Sequence, residues 1–156
     1  MSDGFSHLDA DGSVHMVDVG GKEVTSRRAV AEAVVSMDPT VKGRLFAGDL
    51  PKGDALAMVR VAAIMGAKRT PELVPLCHPI SLDAVSVDIE PIEGGARIVV
   101  TATVAARTGV EMEAMTGAAV GAVALYDMIK GLDRGAEIGP LRLLSKSGGK
   151  SGEWHR

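Results

Sequence analysis

The 156-residue chain carries 17 Lys and Arg against 20 Asp and Glu, a formal net charge of −3, with 46% hydrophobic but only 3% aromatic residues. Such a chain can bury an aliphatic core without disulfide or metal staples, which excludes global disorder. The acidic balance disfavours a dedicated nucleic-acid binder, although it leaves room for a local basic pocket.

The single cysteine, Cys77, excludes an internal disulfide and fits a reducing cytoplasm. Met1 to Phe5 is acidic and has no apolar run, so it does not read as a signal peptide. The longest near-apolar stretch, Ala118 to Tyr126, falls short of the roughly 20 residues a membrane span needs. With no repeat and no linker, the chain reads as one cytoplasmic domain over residues 1–156. Residues 1–12 and 145–156 are the candidates for mobility.

Residues 1 to about 25 are polar and Gly-rich, an arm or loop with a short strand at Val14 to Val19. Ser26 can cap a helix to Met37, with Val30, Ala33, Val34 and Met37 as its buried stripe. Asp38-Pro39 ends that helix and starts another. After a Gly- and Pro-rich loop at 48–53, Asp54 caps a nearly all-apolar helix from Ala55 to about Lys68. Thr70-Pro71-Glu72 opens a short turn of helix, and Leu76 to Pro79 follows as a loop. Val85, Val87 and Ile89 alternate with polar residues as a half-buried strand, hairpinned through Glu93-Gly94-Gly95 to Arg97–Val104. Gly109 to about Leu132 is a long helix whose small residues invite close packing. Glu137 to Leu144 is a last strand, with Gly139-Pro140 marking an edge or bulge. Helices with an antiparallel hairpin, rather than strict strand–helix alternation, predict an α+β fold.

Several residue groups can carry chemistry. The tail Lys146 to Gly152 ends in Gly149-Lys150-Ser151, but Leu144 stands where a phosphate-binding P-loop needs its first glycine. It reads instead as a loose tail or as a Lys- and Gly-rich flap for an anion. Cys77 and His78 are neighbours whose side chains diverge in extended chain, so they make no nucleophilic dyad, and no zinc ligand set accompanies them. Glu111 and Glu113 suit the positive end of the long helix as capping charges. Asp127 and Lys130 share a helix face, as a surface ion pair or a proton-transfer pair. Fourteen residues separate Glu113 from Asp127, roughly 21 Å along a straight helix, so one small site drawing on both requires two subunits. Arg27, Lys52, Lys68, Arg69, Lys130, Lys146 and Lys150 are scattered, and form either a solvated surface or, if they converge, an anion pocket.

These segments resemble the cyclic pyranopterin monophosphate synthases, also called the molybdenum cofactor biosynthesis protein C family. The resemblance is carried by His15 to Val19, Lys52-Gly53-Asp54, Ala67 to Thr70, Leu73 to Pro79 and Thr108 to Met115, then Tyr126-Asp127-Met128 with Lys130 and Lys146 to Gly152, in order. Gly20-Gly21, Gly117 and Ile129 depart from the family pattern without removing a reactive group. The resemblance implies a ferredoxin-like antiparallel sheet with helices on one face. It also implies conversion of a cyclised dihydro-GTP to cyclic pyranopterin monophosphate with release of pyrophosphate. No cofactor or protein-held metal is expected, because no carboxylate cluster in the chain demands one, and whether magnesium accompanies the triphosphate stays open. Leu76, Cys77, His78, Glu111, Met112 and Glu113 would line the substrate site, and Arg27, Lys68, Arg69, Lys146 and Lys150 would hold the triphosphate. Asp127 would be the catalytic acid, and Lys52 and Lys130 would move protons or steady charge. The implied assembly is a homohexamer, a trimer of dimers with sites at the dimer interface. From the residues alone, a non-catalytic nucleotide- or pterin-binding module and a purely structural oligomer stay open.

Overall fold

A computed structural model describes residues 11–150 and 152–156 of the chain. The elements run β1 (Thr25–Ser36), α1 (Pro39–Ala47), α2 (Ala55–Lys68), α3 (Thr70–Leu73), β2 (Ala84–Ile92), β3 (Gly95–Ala106), α4 (Glu111–Ile129), β4 (Glu137–Ser147) and β5 (Trp154–His155). They form one antiparallel sheet in the order β2-β3-β1-β4-β5, with α4 packed over β1, β3 and β4, and α2 against α4 and the edge strand β2. Without the short β5, this βαββαβ path with its 2-3-1-4 strand order is the ferredoxin-like α+β arrangement.

The largest departure from the sequence reading is β1. Thr25–Ser36 is not a helix but the central strand, paired on one side with β3 and on the other with β4. Its alanines match a helical period as well as a strand period, and local propensity favours the helix. The pairing partners decide otherwise. Ala29, Ala31, Ala33 and Val35 alternate onto the helix-covered face and are almost fully buried. Their small side chains admit α4 close to the sheet. The segment Val14 to Val19 also departs from expectation: only Val14 makes an isolated bridge, and the rest is irregular. The expected mobility of residues 1–12 falls mostly outside the described residues.

Elsewhere, capping chemistry sets the boundaries. Asp38 accepts from the Thr40 amide at 2.7 Å and Asp54 from the Ala57 amide at 2.9 Å, each satisfying an orphan donor of its helix. Helices α2 and α4 lie so close that a Cβ on Gly66 would come within 2.7 Å of the Val120 Cβ. By length and composition alone α4 could cross a membrane. Here its apolarity serves the core instead, because Ala114, Ala118, Ala122, Leu125 and Ile129 are fully buried beneath α2 and the sheet. The irregularity expected at Gly139-Pro140 is a register shift in the β1–β4 ladder between Ala33 and Val35.

The opposite sheet face holds one buried carboxylate. Glu32 on β1 is 3% exposed and accepts from Arg97 Nε at 2.5 Å and Arg142 Nε at 2.6 Å. Arg97 also pairs with Glu90 at 3.3 Å.

Candidate functional site

Helix α4 carries a chemically distinct group at each end. At its N-terminal end, a cavity of about 350 Å³ opens between the arm before β1, the loop after α3 and the β3–α4 junction. Leu76, Cys77 and His78 form one wall, and Glu111, Met112 and Glu113 another. His78 is fixed by a 2.7 Å hydrogen bond between its Nε2 and the Val17 carbonyl, which ties the arm to the loop. Cys77 is half-buried. Burial pushes its thiol up, and the Glu113 charge adds to that, so it is a thiol and not a thiolate at neutral pH. Glu113 is 3% exposed. Burial, helped by the neighbouring Glu111 charge and opposed by a backbone hydrogen bond, pushes its carboxyl up to about 7. It can therefore hold or release a proton at working pH.

Beside this cavity, Lys146 pairs with Glu111 at 3.0 Å. The Arg27 guanidinium donates to the Ala106 carbonyl at 3.0 Å and the Arg107 carbonyl at 3.2 Å. A small cleft brings Arg27, Arg28 and Lys146 together, and shares Gly109 and Glu111 with the larger cavity. These cations thus stand at one rim of the cavity.

At the C-terminal end of α4, the Asp127 carboxylate sits between two ammonium groups. Lys130 Nζ lies 2.7 Å from Oδ1 and Lys52 Nζ 2.9 Å from Oδ2. Lys52 also donates to the Asp127 backbone carbonyl at 2.6 Å, satisfying an acceptor that the helix end leaves open. The Lys130 hydrogen bond, then that of Lys52, holds the Asp127 carboxyl down at about 2. The same hydrogen bond raises Lys130. At neutral pH Asp127 is therefore ionised at rest, and its carboxylate accepts charge-assisted hydrogen bonds from both ammoniums. Lys130 likewise stays charged at rest.

The chain thus brings Leu76, Cys77, His78, Glu111, Met112 and Glu113 into one cavity, and Arg27 with Lys146 to its rim. Lys52, Asp127 and Lys130 form a second group. Lys68 and Arg69 lie exposed at the end of α2, where Arg69 faces Glu72 at 3.9 Å, outside both groups. Lys150 is exposed in the turn after β4. Five lining positions were not named as site residues from the sequence: Val17, Val19, Lys22, Thr108 and Gly109. Val17 was within reach, because a polar arm holding an apolar pair at Val17 and Val19 is an unusual terminus. Lys22 carries no such local signal. Among the described residues, no group of three or more His, Cys, Asp or Glu is placed to hold a metal ion.

Comparison with known proteins bears on this geometry. The model of the MoaC family matches residues 16–149, a span that includes both ends of α4. The chain belongs to the MoaC family. A relative from Corynebacterium efficiens named cyclic pyranopterin monophosphate synthase is 53% identical over 150 residues, covering 96% of this chain and 97% of the relative. One of the same name from Brucella ovis is 49% identical over 156 residues, covering 99% and 94%. A family match ending at residue 149 takes in Lys146 but leaves β5 outside it.

Proposed function

We propose that this protein is a cyclic pyranopterin monophosphate synthase of molybdenum-cofactor biosynthesis. It is an enzyme that converts a cyclised dihydro-GTP, a small-molecule substrate, to cyclic pyranopterin monophosphate and pyrophosphate. The observation that carries this reading is near 50% identity, over almost the whole of both chains, to relatives bearing that name. The residues fit the chemistry. A substrate hydroxyl oxygen attacks the α-phosphorus, the α–β phosphoanhydride bond breaks, and pyrophosphate leaves with the bonding pair while a base takes the hydroxyl proton. Leaving-group charge calls for fixed cations. Lys146, Arg27, Lys150, Lys68 and Arg69 serve the triphosphate in this reading, the last two from a neighbouring part of the assembly. The cavity around Leu76, Cys77, His78, Glu111, Met112 and Glu113 takes the ring system. Lys52, Asp127 and Lys130 carry the proton transfers, with Asp127 keeping both ammoniums in place.

Two groups about 21 Å apart along α4 cannot share one ligand within a subunit. The reading therefore assigns each site to two copies, within a homohexamer built as a trimer of dimers in the cytoplasm, and takes the chain as one domain. Met58, Val61 and Met65, each about half exposed along one side of α2, supply apolar surface for such contacts.

A single-turnover assay with cyclised dihydro-GTP tests the activity. Pyrophosphate and pterin product should appear in equal amounts. Substrate that stays bound but intact would make the protein a binding module instead. Subunit mixing tests the shared site. Asp127→Ala and Glu113→Gln, each inactive or slow alone, should on mixing recover about a quarter of wild-type turnover, because half the random pairs carry one intact site. No recovery after verified subunit exchange would place each site within one chain.

A further inference from the structure

The tail after β4 departs from what its composition predicts. Seven residues, Lys146 to Gly152, include five glycines or serines besides the two lysines and promise little order by themselves. Yet the chain turns back, and Trp154–His155 pairs antiparallel with Lys146 and Ser145. A hairpin is thereby closed around Lys150. The Gly152 amide donates to the Gly149 carbonyl at 3.2 Å, which sets Lys150 just inside a tight turn. Gly148 and Gly149 have φ of +96° and +71°, and a side chain on Gly149 would overlap the Arg27 guanidinium. The turn is thus seated on Arg27, beside Lys146, at the rim of the 350 Å³ cavity. Lys150 is two residues from Gly148, so at most about 7 Å of backbone separates it from that rim.

Residues 154–156 keep this hairpin shut. The Arg156 amide donates to the Leu144 carbonyl at 2.9 Å, and its Nε to the Leu143 carbonyl at 2.8 Å. Its guanidinium lies over the Trp154 ring, 5.9 Å from the centroid. None of this is core packing: Trp154 is 39% exposed, and His155 and Arg156 are exposed too. Three residues that bury little, but hold a glycine-rich lysine turn in one place, contribute order and not bulk stability. Ordering a flexible lysine is a cost that a bound anion otherwise bears.

We infer that Trp154 and Arg156 are positioning residues which latch the Lys146–Lys150 hairpin at the cavity rim and so pre-organise it for the polyphosphate end of the substrate. The inference rests on the synthase reading for the identity of the anion. The latch is a short strand plus an arginine–tryptophan stack, and it acts through Lys146 and Lys150 without touching substrate.

Two measurements test it. Trp154 is the only tryptophan, so its fluorescence reports on the latch in the full chain. Titration with inorganic pyrophosphate should change its emission saturably, and Arg156→Ala should shift the midpoint to about tenfold higher concentration. In steady-state turnover, the double variant W154G/R156A should raise KM for cyclised dihydro-GTP about tenfold while kcat stays within about twofold. Its melting temperature should stay within about 2 °C of wild type, and Trp154→Phe alone should stay near the wild-type KM. An unchanged KM in the double variant overturns the latch. So does a joint fall in kcat and melting temperature, which would make the tail structural. A wild-type chain that releases no pyrophosphate would instead fail the synthase reading, and the fluorescence titration would then decide the latch by itself.

Discussion

The two ends of α4 hold carboxylates with opposite proton affinities, and at both ends the outcome runs against the helix's own field. Glu113 lies in the first turn, where the positive helix end favours a charged carboxylate, yet its pKa rises to about 7. Asp127 lies in the last turn, where the negative end disfavours a carboxylate, yet its pKa falls to about 2. Burial wins at one end and two ammonium groups at the other. The lesson is one of magnitude: a helix end contributes about 0.3–1 kcal/mol near the surface, less than either removal from water or a pair of charge-assisted hydrogen bonds. One helix thereby carries a proton-exchanging acid and a permanently ionised anchor. This is the separation of roles that acid–base chemistry at neutral pH requires.

The sharpest test of that contrast lies at the Asp127 end. Lys52→Ala, Asp127→Ala and Lys130→Ala should each lower kcat by about 10²–10⁴-fold, the range for removing a positioned proton-transfer group. The cluster is exposed, so melting temperatures should move little. Lys52→Ala is the informative case, because Lys52 also serves the last turn of α4 through the Asp127 carbonyl. A variant that melts much lower and keeps its rate would make Lys52 a helix cap and nothing more.

At the Glu113 end the expected effects are smaller and depend on pH. Wild-type kcat/KM should change through a pKa near 7, and Glu113→Gln should lose that transition along with about tenfold or more of the rate. Stability supplies an independent check. The folded chain holds the Glu113 proton more tightly than the unfolded chain, whose pKa is near 4.5, so wild type loses stability as pH rises from 4.5 through 7. Glu113→Gln escapes this loss. It should melt above wild type at pH 8.5 and converge on it at pH 4.5. Equal melting temperatures across that range would mean Glu113 is ionised and hydrated like a surface residue.

What could be read in advance divides along the same physical line. Helix α2, its Asp54 cap and the β2–β3 hairpin were legible because their signals are local: a capping side chain, an apolar run, a Gly-Gly turn between alternating residues. The Asp127–Lys130 pair was legible too, since three-residue spacing on a helix fixes proximity. β1 was not, because Ala29 to Val35 satisfies two periods, and only its partners in β3 and β4 choose between them. Lys52 reaches Asp127 across 75 residues of sequence, and Lys22 reaches the cavity through the path of the arm. No window of sequence contains either contact. Proton affinities were the least legible of all. Two acidic residues on one helix look alike in sequence, and only the surrounding atoms separate about 7 from about 2.

Glu32 separates the two causes that the ends of α4 leave entangled. It is as buried as Glu113, and burial is again the largest influence, pushing its pKa up. Hydrogen bonds from Arg97 and then Arg142 nevertheless outweigh burial and hold the carboxyl below its ordinary value of 4.5. Burial therefore does not by itself make a proton-exchanging acid; burial without a cation does. Its contribution to stability is present above about 4.5, the unfolded value, and is lost as pH falls through the lower folded value. Glu32→Ala should leave two guanidiniums facing each other across β1. Because both reach solvent, the cost should be about 2 kcal/mol, below that of removing one partner from a fully buried pair. Urea denaturation at pH 7 and again at pH 3.5 reads this directly, with the gap between variant and wild type narrowing in acid. Turnover of folded Glu32→Ala should match wild type, because Glu32 faces away from the layer that carries the cavity. A variant that keeps its stability but loses turnover would show that this face of the sheet is coupled to the chemistry, and that partnered burial serves the reaction as well as the fold.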